Sequence, residues 1–246
     1  MIDITAVGEI LIDLTQSGIT EQGIPRFDAN PGGAPANLAV AASRLGASTA
    51  FVGRVGDDSY GRFLRSTLED NGVNVEGMSV DPVQHTTLAI VSLDASGERN
   101  FSFYRDPSAD VNLKIEDIPE KLLTGTKILH FGSVSLTAEP ARSATLKAAE
   151  KAKAAGAVIS YDPNYRASLW KDEATAVEKM LQPLPMADIL KVSDEELPLL
   201  TGTDDLEKGS AMLAAKGISL VLVTLGANGA FYRFGDKTGS IPGIKV

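Results

Sequence analysis

Two adjacent glycines near the start of the chain open the first stretch whose residues could do chemistry. Gly32 and Gly33 lead into small and apolar residues that end at Gly46, with the amide Asn37 close to the start. Paired glycines let a backbone approach a ligand closely, and the N-terminus of a helix offers unpaired N–H groups. The pattern fits a ligand-binding loop that begins a helix, and it fits equally a loop before a buried, alanine-rich helix.

A carboxylate in the preceding segment could contribute to the same site. Residues 2–12 are typical of a buried strand that is interrupted at Gly8-Glu9, and Asp13 follows at its far end. A carboxylate there, facing a glycine-rich loop, could accept hydrogen bonds from a polyhydroxyl ligand. An aspartate in a turn is the alternative interpretation. Residues 15–31 are expected to form turns around short, polar pieces of strand.

Three polar side chains follow a later strand directly. Residues 157–161 form a short apolar run, and Asp162, Asn164 and Arg166 come immediately after it. In open parallel sheets, ligands bind beyond the carboxyl ends of the strands. These three residues are therefore better candidates for a site than an average loop would supply.

The order of the predicted elements indicates how these residues are positioned. Strands alternate with helices along most of the chain, which predicts an α/β fold with helical crossovers. Residues 86–105 break the alternation, because two strands there are joined by a turn at 94–98. The second strand places Phe101, Phe103 and Arg105 on one face. This hairpin could close over a ligand, or it could pack on the core as an edge hairpin.

Composition excludes several classes of function. The chain has 246 residues, a formal charge of −9, no cysteine and two histidines. The negative charge argues against a nucleic-acid surface, and the lack of cysteine excludes disulfides and thiolate metal sites. No secretory signal is visible, and no apolar run reaches the ~18 residues of a membrane helix. We expect a cytoplasmic protein without nucleic-acid or membrane partners.

Nucleotide-binding motifs of the best-known types are also missing. The sequence contains no GxxxxGK[ST] motif, and no GxGxxG lies between a strand and a helix. A P-loop and a dinucleotide-binding fold are therefore disfavoured.

Five motifs in a fixed order connect the chain to a known family. They are GGAPAN at 32–37, VGRVGDDSYG at 52–61, FYRDPSAD at 103–110, DPNYR at 162–166 with Leu169-Trp170, and TLG at 224–226. Together they resemble the ribokinase-like, PfkB-type family of sugar kinases, and most closely its fructokinases. The resemblance covers essentially the whole chain.

The resemblance implies an architecture. The fold would be a ribokinase-like three-layer α/β/α domain with a mostly parallel sheet, plus a small β-sheet lid. The core would comprise residues 1–12, 32–84 and 108–246, and the lid residues 13–31 and 85–107. The lid would also pair two chains into a homodimer, as in relatives.

The resemblance also implies a reaction and roles for individual residues. The γ-phosphoryl group of ATP would pass to a primary hydroxyl of a sugar, with Arg166 stabilising the phosphates. Mg²⁺ would be placed by Glu196 through water, and K⁺ is a further cofactor of such kinases. The implied sugar-binding residues are Asp13, Gly32, Gly33, Asn37, Phe103, Arg105 and Asn164. The implied ATP-binding residues are Lys191, Thr224, Gly226 and Gly229.

The chain departs from the family pattern in two places. The family's Asn-x-x-Glu element is Ser193-Asp194-Glu195-Glu196 here, so the asparagine is replaced while the glutamate is kept. From the residues alone, Glu196 could instead be a glutamate that stabilises the first turn of a helix. The family's Gly-Ala-Gly-Asp motif, which supplies the catalytic base, is absent from the 246 residues. We expect the base beyond Val246, in a longer chain, and we expect the 246 residues alone to be inactive.

Three functions remain open at this stage. The first is a fructokinase, which is favoured by the GGAPAN sequence of the motif at 32–37. The second is a 2-keto-3-deoxygluconate kinase, because such kinases share the Asp-x-Asn-x-Arg pattern. The third is a truncated sugar-binding or regulatory protein without catalytic activity.

Overall fold

A computed structural model describes residues 1–93 and 99–244, so the predicted turn at 94–98 and the side chain of Phe101 lie outside the described residues. The strands are β1 Ile2–Val7, β2 Leu11–Ile19, β3 Pro25–Gly32, β4 Thr49–Gly56, β5 Asn74–Asp81, β6 Leu88–Leu93, β7 Arg99–Tyr104, β8 Thr126–Gly132, β9 Val158–Asp162, β10 Ile189–Ser193, β11 Leu220–Thr224, β12 Ala230–Phe234 and β13 Lys237–Ile241. The α-helices are α1 Ala34–Arg44, α2 Ser59–Asp70, α3 Glu120–Thr124, α4 Ala141–Ala154, α5 Glu173–Leu181, α6 Glu196–Thr201 and α7 Leu206–Ala214.

A mostly parallel sheet forms the centre of the molecule. In the described part of the chain, it has nine strands in the order β13-β12-β11-β10-β9-β8-β1-β4-β5. Neighbours from β11 to β5 pair in parallel, and β12 and β13 are antiparallel at one edge. The predicted α/β fold with a mostly parallel sheet is confirmed.

Helices pack on both faces of this sheet because successive side chains of a strand point to opposite sides. In β4, Ala50 and Val52 join an apolar cluster that includes α4, α6 and α7. Their neighbours Phe51 and Val55 join a second cluster with α1 and α2. The two clusters make the three layers of the α/β/α architecture.

A second, smaller sheet lies beside the core. Its four strands are ordered β3-β2-β6-β7, with β6 and β7 antiparallel as the sequence predicts. The expectation of turns around short strand pieces at 15–31 is wrong, because β2 and β3 pair with each other over most of their length. Every residue of β3 except Gly32 is exposed, so no buried period of two marks this strand in the sequence. The boundaries predicted for the lid remain a prediction.

One face of the central sheet is open along β9, β10 and β11. Buried residues alternate there with partly exposed ones, and the buried set faces the cluster containing α4 to α7. Asp162, Lys191 and Thr224 belong to the partly exposed set. Polar groups on this face are therefore accessible at the carboxyl ends of the strands.

Within residues 1–93 and 99–244, no helix has the length and apolar character needed to cross a membrane.

Candidate active site

Polar side chains from several elements converge on a cavity of about 190 Å³, which we call the Asp13 cavity. Ligand pockets for drug-sized molecules are larger, roughly 300–1,000 Å³, so this cavity suits a small ligand. The residues that line it are Glu9, Leu11, Asp13, Gly33, Ala34, Asn37, Phe103, Val134, Asn164 and Arg166.

The floor of the Asp13 cavity depends on a close approach between two backbone segments. Gly33 precedes α1 with φ 103°, which side chains rarely allow, and a Cβ there would lie 2.5 Å from the carbonyl oxygen of Glu9. Gly33 can supply no side-chain cap, and Glu9 takes over that function from outside the helix. Its Oε1 accepts a hydrogen bond from the N–H of Ala34 at 3.0 Å. The predicted loop and helix at 32–46 therefore border a cavity, with Asn37 on its wall.

Glu9 is an unusual residue for this position. It is only 4% exposed, and its Oε2 atom has no hydrogen-bond partner among the described residues. Burial disfavours the charged carboxylate and raises the pKa of Glu9 to about 7. The sequence analysis did not include Glu9 among the candidate site residues. An acidic residue within the otherwise apolar segment 2–12 is a signal that could have identified it.

Asp13 lies in β2, half-buried on the wall of the same cavity. Burial raises its pKa, and the positive charge of Arg166 opposes that shift. Gly32 is buried, and a Cβ there would collide with the Asp13 carboxylate. The glycine therefore makes room for the Asp13 side chain, and it contributes to the cavity indirectly.

The segment after β9 connects the Asp13 cavity to a second one. The backbone of Asn164 has φ 46°, a conformation that asparagine tolerates better than most residues, and its N–H donates to Asp162 Oδ1 at 3.1 Å. Asn164 and Arg166 line the Asp13 cavity and also a cavity of about 390 Å³ beside Lys191. The exposed Arg166 side chain therefore stands between two cavities.

The Lys191 cavity, as we call the second one, combines a cation with several carboxylates. Lys191 Nζ pairs with Asp162 Oδ2 at 3.1 Å, and this ion pair opposes the rise that burial causes in the pKa of Asp162. The residues lining this cavity are Asn164, Tyr165, Arg166, Glu173, Lys191, Ser193, Glu195, Glu196 and Leu199.

Both oxygens of Glu196 are engaged with backbone N–H groups. Oε1 accepts from Tyr165 at 2.6 Å and Oε2 accepts from Ser193 at 2.7 Å, while Ser193 Oγ accepts from the Glu196 N–H at 3.1 Å. This reciprocal pair has the hydrogen-bond pattern of a capping box, and it closes the turn between the end of β10 and the start of α6. Glu196 therefore holds the β9 loop against α6, in addition to lining the cavity.

Arg105, expected at the sugar, is not among the residues that line the Asp13 cavity, and its role there remains a prediction. Its guanidinium is buried and donates to Asp110 Oδ2 at 2.7 Å, to Thr137 Oγ1 at 2.6 Å and to the carbonyl of Val134 at 3.0 Å. It lines a neighbouring cavity of about 380 Å³, which shares Phe103 with the Asp13 cavity. In this arrangement Arg105, which directly follows β7, connects the smaller sheet to the core.

Three of the predicted nucleotide-binding residues lie at the carboxyl end of β11 or just after it. Thr224 pairs in register with Ser193 of β10, and Gly226 and Gly229 follow in a short turn. None of these three is among the residues that line the Lys191 cavity. Their roles remain a prediction.

The buried carboxyl group of Glu9 should make stability depend on pH. Because its pKa rises from 4.5 to about 7 on folding, the folded state holds an extra proton between these values, and stability falls as pH rises through this window. Glu9→Gln removes this dependence and keeps an acceptor for the Ala34 N–H. We expect the variant to exceed the parent in unfolding free energy at pH 8 by up to about 3 kcal/mol, with little difference at pH 4.

Urea unfolding at a series of pH values measures this difference. Glu150→Gln, an exposed glutamate of α4, is the matched control and should follow the parent. Parallel stability profiles for the parent and Glu9→Gln would contradict the assignment.

Comparison with known proteins identifies the family of this chain. The model for "pfkB family carbohydrate kinase" matches residues 1–246. Fructokinase-1 of Oryza sativa subsp. japonica is 47% identical over 246 residues, which cover 99% of this chain and 76% of that protein.

Two solved structures share the fold. Fructokinase from Xylella fastidiosa with bound ATP has a TM-score of 0.91 at 34% identity, covering 99% of this chain and 74% of that one. A double mutant of fructokinase from Vibrio cholerae O395, with fructose, ADP and potassium ion bound, has a TM-score of 0.90 at 39% identity, covering 100% and 77%. The chain belongs to the pfkB family of carbohydrate kinases.

Proposed function

We propose that this chain is a fructokinase, which transfers the γ-phosphoryl group of ATP to a primary hydroxyl of fructose. The observation that carries this proposal is the position of Arg166 between two cavities. One cavity is small and lined by carboxyl and amide groups, which suits a sugar with many hydroxyls. The other combines Lys191 and Arg166 with Glu173, Glu195 and Glu196, which suits phosphate groups that bind together with Mg²⁺. The fructokinase relatives support the choice of fructose and ATP.

In this proposal the Asp13 cavity holds the acceptor sugar. The carboxylate of Asp13 accepts hydrogen bonds from sugar hydroxyls, and the Asn37 amide both donates and accepts. Phe103 gives the sugar an apolar surface, and the backbone at Gly33 comes close enough to contact it. Asn164 completes the wall on the side where the two cavities meet.

The phosphates would lie toward the Lys191 cavity. A guanidinium matches the geometry of phosphate oxygens, so Arg166 stabilises the charge of the transferring group. Lys191 adds a second positive charge, which offsets the net charge of −9. Thr224, Gly226 and Gly229 are proposed to contact the nucleotide from the end of β11.

The donor set is consistent with magnesium bound mainly through water and phosphate. Mg²⁺ usually keeps several waters and takes only one or two carboxylates. Each carboxylate oxygen of Glu196 accepts one hydrogen bond from a backbone N–H group. The remaining lone pairs of these oxygens can accept a hydrogen bond from a water molecule that hydrates Mg²⁺. When bound, Mg²⁺ neutralises phosphate charge. We also propose that K⁺ is used, by analogy with the potassium-bound Vibrio cholerae relative.

The described residues are proposed to bind and orient the reactants, and none of them is assigned as the base. The Gly-Ala-Gly-Asp motif that supplies the base in the family does not occur in residues 1–246. General-base catalysis typically contributes about 10²–10⁴-fold. Asp13 and Asp162 keep their roles in sugar binding and in pairing with Lys191.

A coupled assay of ADP formation tests the proposed function. With ATP and Mg²⁺, in a chain that also carries the Gly-Ala-Gly-Asp motif, we expect kcat/KM for fructose to exceed that for 2-keto-3-deoxygluconate by more than tenfold, because fructose presents the hydroxyls that Asp13 and Asn37 would bind. The reverse preference would favour a 2-keto-3-deoxygluconate kinase. Fructose binding by calorimetry without ADP formation would indicate a non-catalytic sugar-binding protein.

Arg166→Ala should slow turnover more than it weakens sugar binding. Removing a charge that stabilises the transferring phosphoryl group lowers kcat by about 100-fold or more, whereas KM for fructose changes little. Steady-state kinetics with fructose as the varied substrate measure both parameters.

Asp13→Asn provides the contrasting variant, because it keeps the shape and removes the negative charge. We expect KM for fructose to rise by about tenfold or more, since a charged acceptor is lost. A large rise in KM for Arg166→Ala would instead place Arg166 at the sugar.

We propose that the lid sheet also pairs two copies of the chain. Ile19, Ile24 and Tyr104 are each at least 60% exposed on or beside its strands, and apolar surface of this kind favours association. Sedimentation at micromolar concentration should give the mass of a dimer, and Ile19→Lys should shift it toward the monomer. A monomer mass for the parent protein would contradict this proposal.

A further inference from the structure

A buried carboxylate lies where the smaller sheet meets the core. Asp110 is 6% exposed and belongs to a short 3₁₀ helix, Ala109–Asn112, between β7 and β8. This helix is fixed to the core, since Ala109 is fully buried and the side chain of Asn112 donates to Asp81 Oδ2 at 3.0 Å. A buried charge has to be paired, so the partners of Asp110 show what it holds together.

Asp110 binds both ends of the hairpin formed by β6 and β7. Its Oδ1 accepts a hydrogen bond at 2.6 Å from the hydroxyl of Thr87, which directly precedes β6. Its Oδ2 accepts a hydrogen bond at 2.7 Å from Nε of Arg105, which directly follows β7. One carboxylate therefore fixes the two points at which this hairpin leaves the core and returns to it.

The contact with Thr87 leads to one wall of the Asp13 cavity. The carbonyl of Thr87 accepts the N–H of Ile12 at 3.1 Å, and Ile12 directly precedes Asp13. From this point β6 pairs with β2, with Ala89 in register with Asp13. The position of the Asp13 carboxylate therefore depends on where β6 begins.

The contact with Arg105 leads to two more residues that line the cavity. Phe103 lies in β7, two residues before Arg105, and Nη2 of Arg105 donates to the carbonyl of Val134 at 3.0 Å. Phe103 and Val134 both line the Asp13 cavity, whereas Asp110 is not among its lining residues. Asp110 thus acts on the cavity only through other residues.

The charge of Asp110 matters because Arg105 is buried as well. Removing one partner of a buried ion pair leaves the other as an uncompensated charge in a poorly solvated place. Without the carboxylate, the guanidinium would gain by turning toward water. That movement would break its bond to Val134 and shift the end of β7, which carries Phe103.

We propose that Asp110 is a positioning residue of the sugar site, whose carboxylate sets the relative positions of Asp13, Phe103 and Val134. This inference rests on the proposed function, because it takes the Asp13 cavity to be the fructose site. Its consequence is that the affinity for fructose depends on a charge that fructose does not touch.

Titration calorimetry with fructose tests this inference on Asp110→Asn. Asparagine keeps the size of the side chain and an acceptor for Thr87, but it presents no charge to Arg105. We expect Kd for fructose to rise about tenfold. Asp188→Asn is the matched control, because it removes a carboxylate that pairs with Lys153 next to the amino end of β10, away from the site. It should keep the Kd of the parent protein.

Urea unfolding of the same variants separates positioning from a general loss of stability. Both substitutions remove an ion pair and should lower the free energy of unfolding. A residue that only stabilised the fold would leave the affinity of the folded molecules unchanged. Only Asp110→Asn should therefore combine a loss of stability with a higher Kd for fructose.

Thr87→Val tests the other contact of Asp110 and serves also if Asp110→Asn does not fold. Valine has nearly the shape of threonine and removes only the hydroxyl that donates to Asp110. We expect Kd for fructose to rise about threefold. Thr5→Val is the matched control, because Thr5 is also buried and its hydroxyl donates to the carbonyl of Leu122 in α3. This control should bind fructose as the parent does.

Failure of the inference and failure of the proposed function give different results. If the parent protein binds fructose, and folded Asp110→Asn or Thr87→Val keeps the parent's affinity, the inference alone is overturned. If the parent protein binds no fructose, the proposed function is overturned, and the inference with it.

Discussion

The contact between the backbone at Glu9 and the start of α1 is the constraint on which the candidate site depends. A side chain at Gly33 would collide with the carbonyl of Glu9, so only glycine lets the helix begin there. The close contact between the backbones of Glu9 and Gly33 sets the distance between two walls of the Asp13 cavity. β2 carries Asp13 on one wall, and α1 carries Asn37 on the other. A loss of the contact would separate groups that have to act on the same small molecule.

The remaining residues of the candidate site lie at the carboxyl ends of the parallel strands. β9 and β10 end beside each other, so the loop with Asn164 and Arg166 meets Lys191 and the start of α6. The Glu196 carboxylate joins this loop to α6 through two backbone N–H groups. Rigid attachment matters here, because phosphoryl transfer depends mainly on positioning and on fixed charges.

Much of this arrangement follows from local patterns. Apolar runs and glycine-rich turns predict the alternation of strands and helices, and the motifs at 32–37 and 162–166 do border the Asp13 cavity. Other features depend on contacts between distant residues. Glu9 can cap α1 only because the fold brings Ala34 next to it. Arg105 is likewise held by hydrogen bonds to Val134 and Thr137, which are about 30 residues away in the sequence. β3 escaped prediction because an exposed strand carries no apolar alternation.

The place of Arg166 on the boundary of two cavities has a thermodynamic consequence. If the sugar and the nucleotide bind as proposed, one guanidinium would contact both ligands, and this would couple the two binding equilibria. Linkage is reciprocal: the factor by which the nucleotide changes the affinity for the sugar equals the factor by which the sugar changes the affinity for the nucleotide. One exposed side chain would then make the affinity for each ligand depend on whether the other is bound.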